Sequence, residues 1–283
     1  MQSDRYRIRS MTRAEIDIAV DWAAAEGWNP GVDDAACFHA ADSDGFLVGL
    51  LDGEPIATIS AVGYGASFGF VGFYIVKPEH RGKGYGLRIW AAAMDRLAGR
   101  NIGLDGVVAQ QDNYRKSGFA LAWRNVRYEG SGGGQRPDDA AVVPLSSLAF
   151  ADIERYDRAF FPADRGAFLK SWITQPRGSA VGIVEDGSLR GMAVMRPCRV
   201  GCKIGPLFAD APQLAERLFA HCRAAAPQGT PIFLDIPQTN PAALALVEGH
   251  GMRSAFETAR MYTGDFPEMP MGRMFGVTTF ELG

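Results

Sequence analysis

Residues 68–76, Phe-Gly-Phe-Val-Gly-Phe-Tyr-Ile-Val, are an aromatic and β-branched run bounded by turn residues, which predicts a strand. Downstream, Leu87, Trp90, Met94 and Leu97 recur at helical spacing and Gly99 supplies a stop. Upstream, 6–9 reads as a strand. Thr12-Arg13-Ala14-Glu15 is a capping box that opens a helix through Ile16, Ala19, Val20 and Ala23. Asn29-Pro30 marks a turn, and 33–41 is expected as a short helix. The apolar runs 46–51 and 55–64 flank Asp52-Gly53 and predict a hairpin. Strands follow at 102–108 and 120–128. The stretch Gly130-Ser131-Gly132-Gly133-Gly134-Gln135-Arg136-Pro137 has linker composition. A first domain over 1–130, a linker over 131–137 and a second domain over 138–283 are therefore expected.

The second part repeats landmarks of the first in the same order, at a spacing of roughly 130 residues. Leu51-Asp52-Gly53 returns as Glu185-Asp186-Gly187, and Val71-Gly72 as Ile204-Gly205. Ile102-Gly103-Leu104-Asp105 returns as Ile232-Phe233-Leu234-Asp235, Gly118-Phe119 as Gly251-Met252, and Arg127-Tyr128 as Arg260-Met261. A duplicated α/β fold follows. The copies part at one place: opposite the basic, glycine-rich stretch at 81–86, the second has Phe208-Ala209-Asp210-Ala211-Pro212-Gln213. There Asp210 and Gln213 are expected to cap the helix carrying Leu214, Leu218 and Cys222, and Pro212 removes a donor.

Length and composition narrow the classes. A chain of 283 residues, 47% hydrophobic and 22% charged, suits about two globular domains. A net charge of −3 argues against nucleic acid as a partner. The sequence has no apolar run long enough to span a membrane and shows no signal peptide before Tyr6-Arg7-Ile8, so a cytoplasmic protein is expected. Four cysteines make no disulfide framework. Cys198 and Cys202 flank a hairpin, Cys37 lies near His39, and His221 adjoins Cys222, but none forms a four-ligand set, so no metal is expected.

The predicted strand at 68–76 and the helix after it are joined by Lys77-Pro78-Glu79-His80-Arg81-Gly82-Lys83-Gly84-Tyr85-Gly86. A helix opened in this way presents unpaired N–H groups and the positive end of its dipole to one point. Such a point binds anions, phosphates above all. Gly82, Gly84 and Gly86 admit a ligand to the backbone, and Arg81 and Lys83 add charge. The stretch lacks the Gly-Lys-Ser/Thr of a P-loop and the Gly-x-Gly-x-x-Gly order of a dinucleotide fold. Read as Arg-x-x-Gly-x-Gly after a Val-x-Pro-Glu exit, it resembles the acyl-CoA loop of the GNAT acyltransferase superfamily.

The resemblance implies tandem GNAT folds, each a mixed, mostly antiparallel sheet flanked by helices. It implies an acyl-CoA co-substrate, acetyl-CoA by default, gripped by Arg81, Gly82, Lys83, Gly84, Tyr85 and Gly86. Ile75 and Val76 match the strand positions whose free N–H groups hold the pantetheine arm and the thioester oxygen. Tyr114-x-x-x-Gly118-Phe119 resembles the signature whose tyrosine protonates the departing sulfur, although Gln111-Asp112-Asn113 leaves little room for the usual helix before it. Trp28 and Phe38 fall in the helix pair that flanks the acceptor, or else belong to the core. Asp-Arg at 164–165, Leu-Asp-x-Pro at 234–237 and Arg-Met-Tyr at 260–262 resemble a two-domain GNAT subgroup (YitH/HolE type), which makes Asp235 and Arg260 candidates to meet the acceptor. Arg165 is expected to pair structurally, with Asp164 or Asp235, or else to meet a substrate carboxylate. Asp105 and Asp235, carboxylates on apolar strands, are candidate bases, or else hold a loop by hydrogen bonds. The expected reaction is acyl transfer to a small-molecule amine by direct attack, since no Cys or Ser sits with a His as a nucleophile pair. The alternatives are a non-catalytic CoA-binding regulatory module and a tRNA-dependent aminoacyl transferase, the latter without the basic surface it would need.

Overall fold

Two Asp-Gly turns set the register of the two halves. Asp52 and Gly53 take φ of 53° and 92°, and Asp186 and Gly187 take 51° and 71°, the paired left-handed geometry of a type I′ hairpin. The first joins β2 (Phe46–Leu51) to β3 (Glu54–Tyr64), and the second joins β8 (Ser179–Glu185) to β9 (Ser188–Pro197). The computed structural model describes residues 5–283. Around the first hairpin lie β1 (Tyr6–Ser10), α1 (Arg13–Ala25), α2 (Asp34–Ala41), β4 (Phe68–Val76), α3 (Tyr85–Arg96), β5 (Asn101–Val107), α4 (Gln111–Lys116) and β6 (Ala120–Ser131). Around the second lie β7 (Val142–Pro144), α5 (Phe150–Asp157), α6 (Gly166–Ile173), β10 (Cys202–Ala209), α7 (Pro212–Ala225), β11 (Pro231–Pro237), α8 (Pro241–Gly249), β12 (Arg253–Tyr262) and β13 (Met274–Gly276).

All thirteen strands of the described residues join one sheet, in the order β1-β2-β3-β4-β5-β12-β6-β11-β10-β9-β8-β7, with β13 beside β10. The order is a palindrome of the two halves with their last strands exchanged. β12 of the second half pairs with β5, and β6 of the first pairs with β11. The boundary expected at residue 130 is thus corrected: it falls inside β6, which runs to Ser131 and is hydrogen-bonded into the second half. Among the described residues only β4–β5 and β10–β11 are parallel.

Two buried ion pairs lock the exchange. Asp105 on β5 lies across from Arg260 on β12, and Asp235 on β11 lies across from Arg127 on β6. The repeated Asp and Arg of each half therefore meet the other half's partner. Arg127 grips Asp235 with two bonds of 2.7 and 2.8 Å. Arg260 grips both oxygens of Asp105.

Both faces of β4 are covered, so its apolar run is nearly unbroken. Phe68 and Phe70 pack with Ile16, Val20 and Phe38, whereas Val71 packs with Ile89, Ala93 and Leu97 of the α3 layer. Strict alternation would then place Phe73 and Ile75 under α3, yet both join the Phe68 side. The phase changes because β4 carries an extra residue: Ser60 pairs with Gly72 but Thr58 with Ile75, and Phe73 takes φ of 49°. This is a β-bulge, with a bulky residue in a conformation that costs energy.

Thr12 caps α1 through the predicted box, accepting from the Glu15 N–H while Glu15 receives the Thr12 N–H at 2.8 Å. Thr12→Ala should lower the unfolding free energy by about 1 kcal/mol in urea titration. The cap expected at Asp210 is corrected. No side chain caps α7; the Asp210 carboxylate instead accepts from Tyr156 and pairs with Arg190 and Arg273, cations that compete successfully with the helix N–H groups. Arg165 takes neither expected partner: Asp157 holds it with two bonds of 2.7 Å.

Candidate active site

The loop ahead of α3 has the predicted form. Gly82 and Gly84 take φ of 72° and 84° with open space around both, so glycine serves backbone conformation there. Gly86 serves packing, because a Cβ would stand 2.7 Å from the Tyr74 hydroxyl. Gly84 is the N-cap of α3 and no side chain among the described residues caps that end, so its first N–H groups face outward without an intrahelical partner.

From this loop a cavity of about 650 Å³ runs along β4. Its floor opens where β4 and β5 diverge: their parallel pairing ends at Val71 and Leu104, and the following residues of each line the cavity. The bulge lies at this fork. The Thr58 hydroxyl donates to the Phe73 carbonyl at 2.9 Å and fixes the distorted peptide. Beyond the fork no strand of the described residues pairs with β4 on that side, which leaves its amide dipoles turned into the cavity. Tyr114 closes one wall, packed on Gly106 and 5.6 Å from the Trp90 ring. Burial, aided by the nearby Tyr74, pushes its phenol up to about 12, so the hydroxyl stays protonated at neutral pH. The opposite wall comes from the second half: Phe256 and Thr258 of the exchanged β12, with Phe280 and Glu281 from the segment after β13.

The corresponding fork in the second half is filled. β10 and β11 pair only through Ile204 and Leu234, and β13 then enters between them, pairing with Leu207 and Phe208. Leu234 and Leu207 crowd Gly276 so closely that a Cβ there would lie 2.6 Å from a leucine methyl.

An acetyltransferase (GNAT) family model matches residues 11–119, and an acetyltransferase (GNAT) domain model matches 153–276. A holothin acyltransferase from Pseudoalteromonas sp. (strain SANK 73390) is 31% identical over 95% of this chain and 92% of its own length. The chain belongs to the GNAT acyltransferase family. It is an acyl-CoA-dependent N-acyltransferase with tandem GNAT halves. A Pyrococcus horikoshii protein solved as a candidate acetyltransferase shares the whole fold, with a TM-score of 0.84 over 100% of this chain and 98% of its own, at 21% identity. A tandem GNAT protein from the clavulanic acid biosynthesis pathway aligns over 93% of this chain and 100% of its own, with a TM-score of 0.61 at 12% identity.

Within the GNAT cavity the predicted residues divide. Ile75, Val76, Arg81, Gly82, Gly84, Gly86, Tyr114, Asp105 and Trp28 line it. Arg81 donates to the Val76 carbonyl at 2.8 Å and pairs with Glu26. Lys83 is exposed and Tyr85 packs its ring 4.8 Å from Tyr6; neither lines the cavity. Trp28 is fixed by its carbonyl, which accepts from Arg127 at 2.8 Å.

Four expectations need correction. Phe38 is fully buried between Phe46, Phe73 and Trp172 and belongs to the core. Asp235 and Arg260 are buried in the two cross-half ion pairs and do not reach the cavity. Burial works against the charged form of Asp235, but Arg127 and Lys203 outweigh it and lower its pKa. Asp105 reaches the cavity only as part of the wall, because its carboxylate is wholly shielded from solvent. That carboxylate accepts from Arg260, from Asn125 at 2.8 Å and from Thr258 at 3.4 Å. Burial raises its pKa against the pull of Arg260. With every oxygen engaged, it is a joint between strands and no base.

The sequence reading missed the bulge at Phe73 and the wall residues Phe256, Phe280 and Glu281. The bulge did leave a trace, since Phe68 and Phe70 are followed by Phe73 and Ile75 out of phase. No helix among the described residues is long and apolar enough to cross a membrane.

Proposed function

We propose that this enzyme moves an acetyl or other short acyl group from CoA to the amine of a small molecule by direct attack, with Tyr114 as the acid. The observation that carries the reading is the continuity of one cavity from the uncapped start of α3, past the β4 bulge, to Tyr114 and the aromatic wall of the second half. The α3 N–H groups would hold the diphosphate, and the turned amides of β4 would polarise the thioester carbonyl. No Cys, Ser or His among the described residues lines the cavity, which supports attack by the amine itself. The Glu281 carbonyl presses on Gly72, where a Cβ would lie 2.2 Å from it; this stop at the fork favours a short acyl group. A relative named for acylating holothin supports a small-molecule acceptor.

The test is Tyr114→Phe. It should lower kcat for thiol release from acetyl-CoA by about 100-fold or more, with acetyl-CoA affinity unchanged by calorimetry. An unaltered kcat would remove Tyr114 from the chemistry.

A further inference from the structure

The cavity wall carries the carboxylates of Glu26, Asp105 and Glu281 among the described residues. Glu26 is paired with Arg81 beside the loop, and Asp105 is saturated. Glu281 differs. Its Oε2 accepts from the Thr279 hydroxyl, while Oε1 accepts no hydrogen bond from the described residues. The residue is only 3% exposed, so what remains open on it faces the cavity.

The chain around it is held in place. Val277 donates to the Asp235 carbonyl at 2.8 Å, Tyr64 donates to the Leu282 carbonyl at 3.1 Å, and Arg165 donates to Thr278 at 3.1 Å and to the Gly283 carbonyl at 3.2 Å. This strap leaves the plugged fork of the second half and crosses to the open fork of the first. There the Glu281 backbone touches Gly72, one residue from the bulge. Phe280 and Phe256, with ring centres 6.3 Å apart, stand beside it. The strap therefore brings Glu281 into the cavity lining at the fork, beside two rings that already hold the Arg127 guanidinium at 5.8 and 5.1 Å.

We propose that Glu281 receives the acceptor as an ammonium ion and takes its proton, so that the acceptor is a small, basic primary amine that arrives charged. The proposal deepens the function given above and rests on it. One proton passes from the ammonium to the Glu281 carboxylate. The freed lone pair on nitrogen forms the C–N bond as the C–S bond breaks, and the bonding pair leaves with sulfur. Tyr114 protonates the sulfur, the second amine proton restores Tyr114, and the proton on Glu281 is released to water. The products are an amide, free CoA thiol and one proton.

A purely structural role must be separated from this one. Arg127 on β6, Arg196 on β9 and Lys203 on β10 all feel the charge of Glu281, alongside Asp235 and Asp34, so the carboxylate also balances a buried cluster. The experiment is thiol release from acetyl-CoA with benzylamine, tyramine and aniline as acceptors, in wild type, Glu281→Gln and Glu281→Asp. For the alkylamines Glu281→Gln should lower kcat/KM about 100-fold, with acetyl-CoA affinity intact. Aniline, uncharged at neutral pH, should lose far less. With benzylamine the wild type should hold kcat/KM level through neutral pH, whereas in Glu281→Gln it should climb about tenfold per pH unit as free amine accumulates. Loss of a structural charge would depress all amines alike and leave the pH profile unchanged, and that result overturns the proposal. Should Glu281→Gln not fold, Glu281→Asp keeps the charge: folding with a reduced alkylamine rate supports the proposal, and a full rate refutes it. If no amine is acylated while acetyl-CoA still binds, the amine-acceptor reading itself fails, and this proposal with it.

Discussion

Asp105→Ala is expected to cost the fold about 3–5 kcal/mol, because it strands Arg260 in the sheet with its countercharge gone. Arg260 is buried across from Asp105, and both oxygens of the carboxylate bind its guanidinium. The same carboxylate also holds Asn125 and Thr258, so those partners lose an acceptor too. The loss should appear as a lower urea midpoint with little change in slope. Asp105→Leu combined with Arg260→Met should recover much of it, since removing both charges removes the penalty of leaving one. The pair joins β5 to the exchanged β12, which carries Phe256 and Thr258 into the cavity. Amine turnover should therefore fall in the single variant at temperatures where the protein is still mostly folded. A loss below about 1 kcal/mol would mean that the pair is more solvated than its burial indicates.

The loop before α3 was legible because its cause is local. A strand exit, glycines at left-handed positions and an uncapped helix start are written in consecutive residues. The duplication was legible for the same reason: both Asp-Gly turns impose one hairpin geometry wherever they occur. The exchange of β6 and β12 was not. Separate halves and exchanged halves need the same strands with the same alternation, and only the pairing of distant segments differs. The Asp and Arg repeats hinted at a conserved geometry in each copy, but not at which copy each Arg would serve. Asp105 and Asp235 were read as candidate bases because an apolar strand around a carboxylate signals a task; the task is electrostatic closure of the sheet. Phe38 was ambiguous in principle, since an aromatic residue on a short helix fits a core or a pocket equally well. The plug formed by β13 and the strap carrying Glu281 have no motif at all, and their roles come from where the chain passes.

Gly84→Asp should abolish most acetyl-CoA binding while leaving the fold intact. The position has φ of 84° and nothing near enough to clash with a side chain. Asp tolerates the left-handed region better than most residues, at about 1–2 kcal/mol, and as an N-cap it would regain about 1 kcal/mol from the bare start of α3. The melting temperature should thus move little. The ligand meets the opposite sign of the same effect. The new carboxylate would occupy the N–H groups that the diphosphate needs and set a like charge at the positive end of the helix dipole. Losing even two charge-assisted hydrogen bonds, at about 1.5–3 kcal/mol each, corresponds to an affinity drop of roughly 100-fold or more. Gly84→Ala is the control: it carries the same backbone strain without the charge and should lose much less. Calorimetry of the wild type should return one site per chain, since β13 fills the fork that would make a second. Wild-type affinity in Gly84→Asp would move the diphosphate away from α3 and leave the cavity without its anchor.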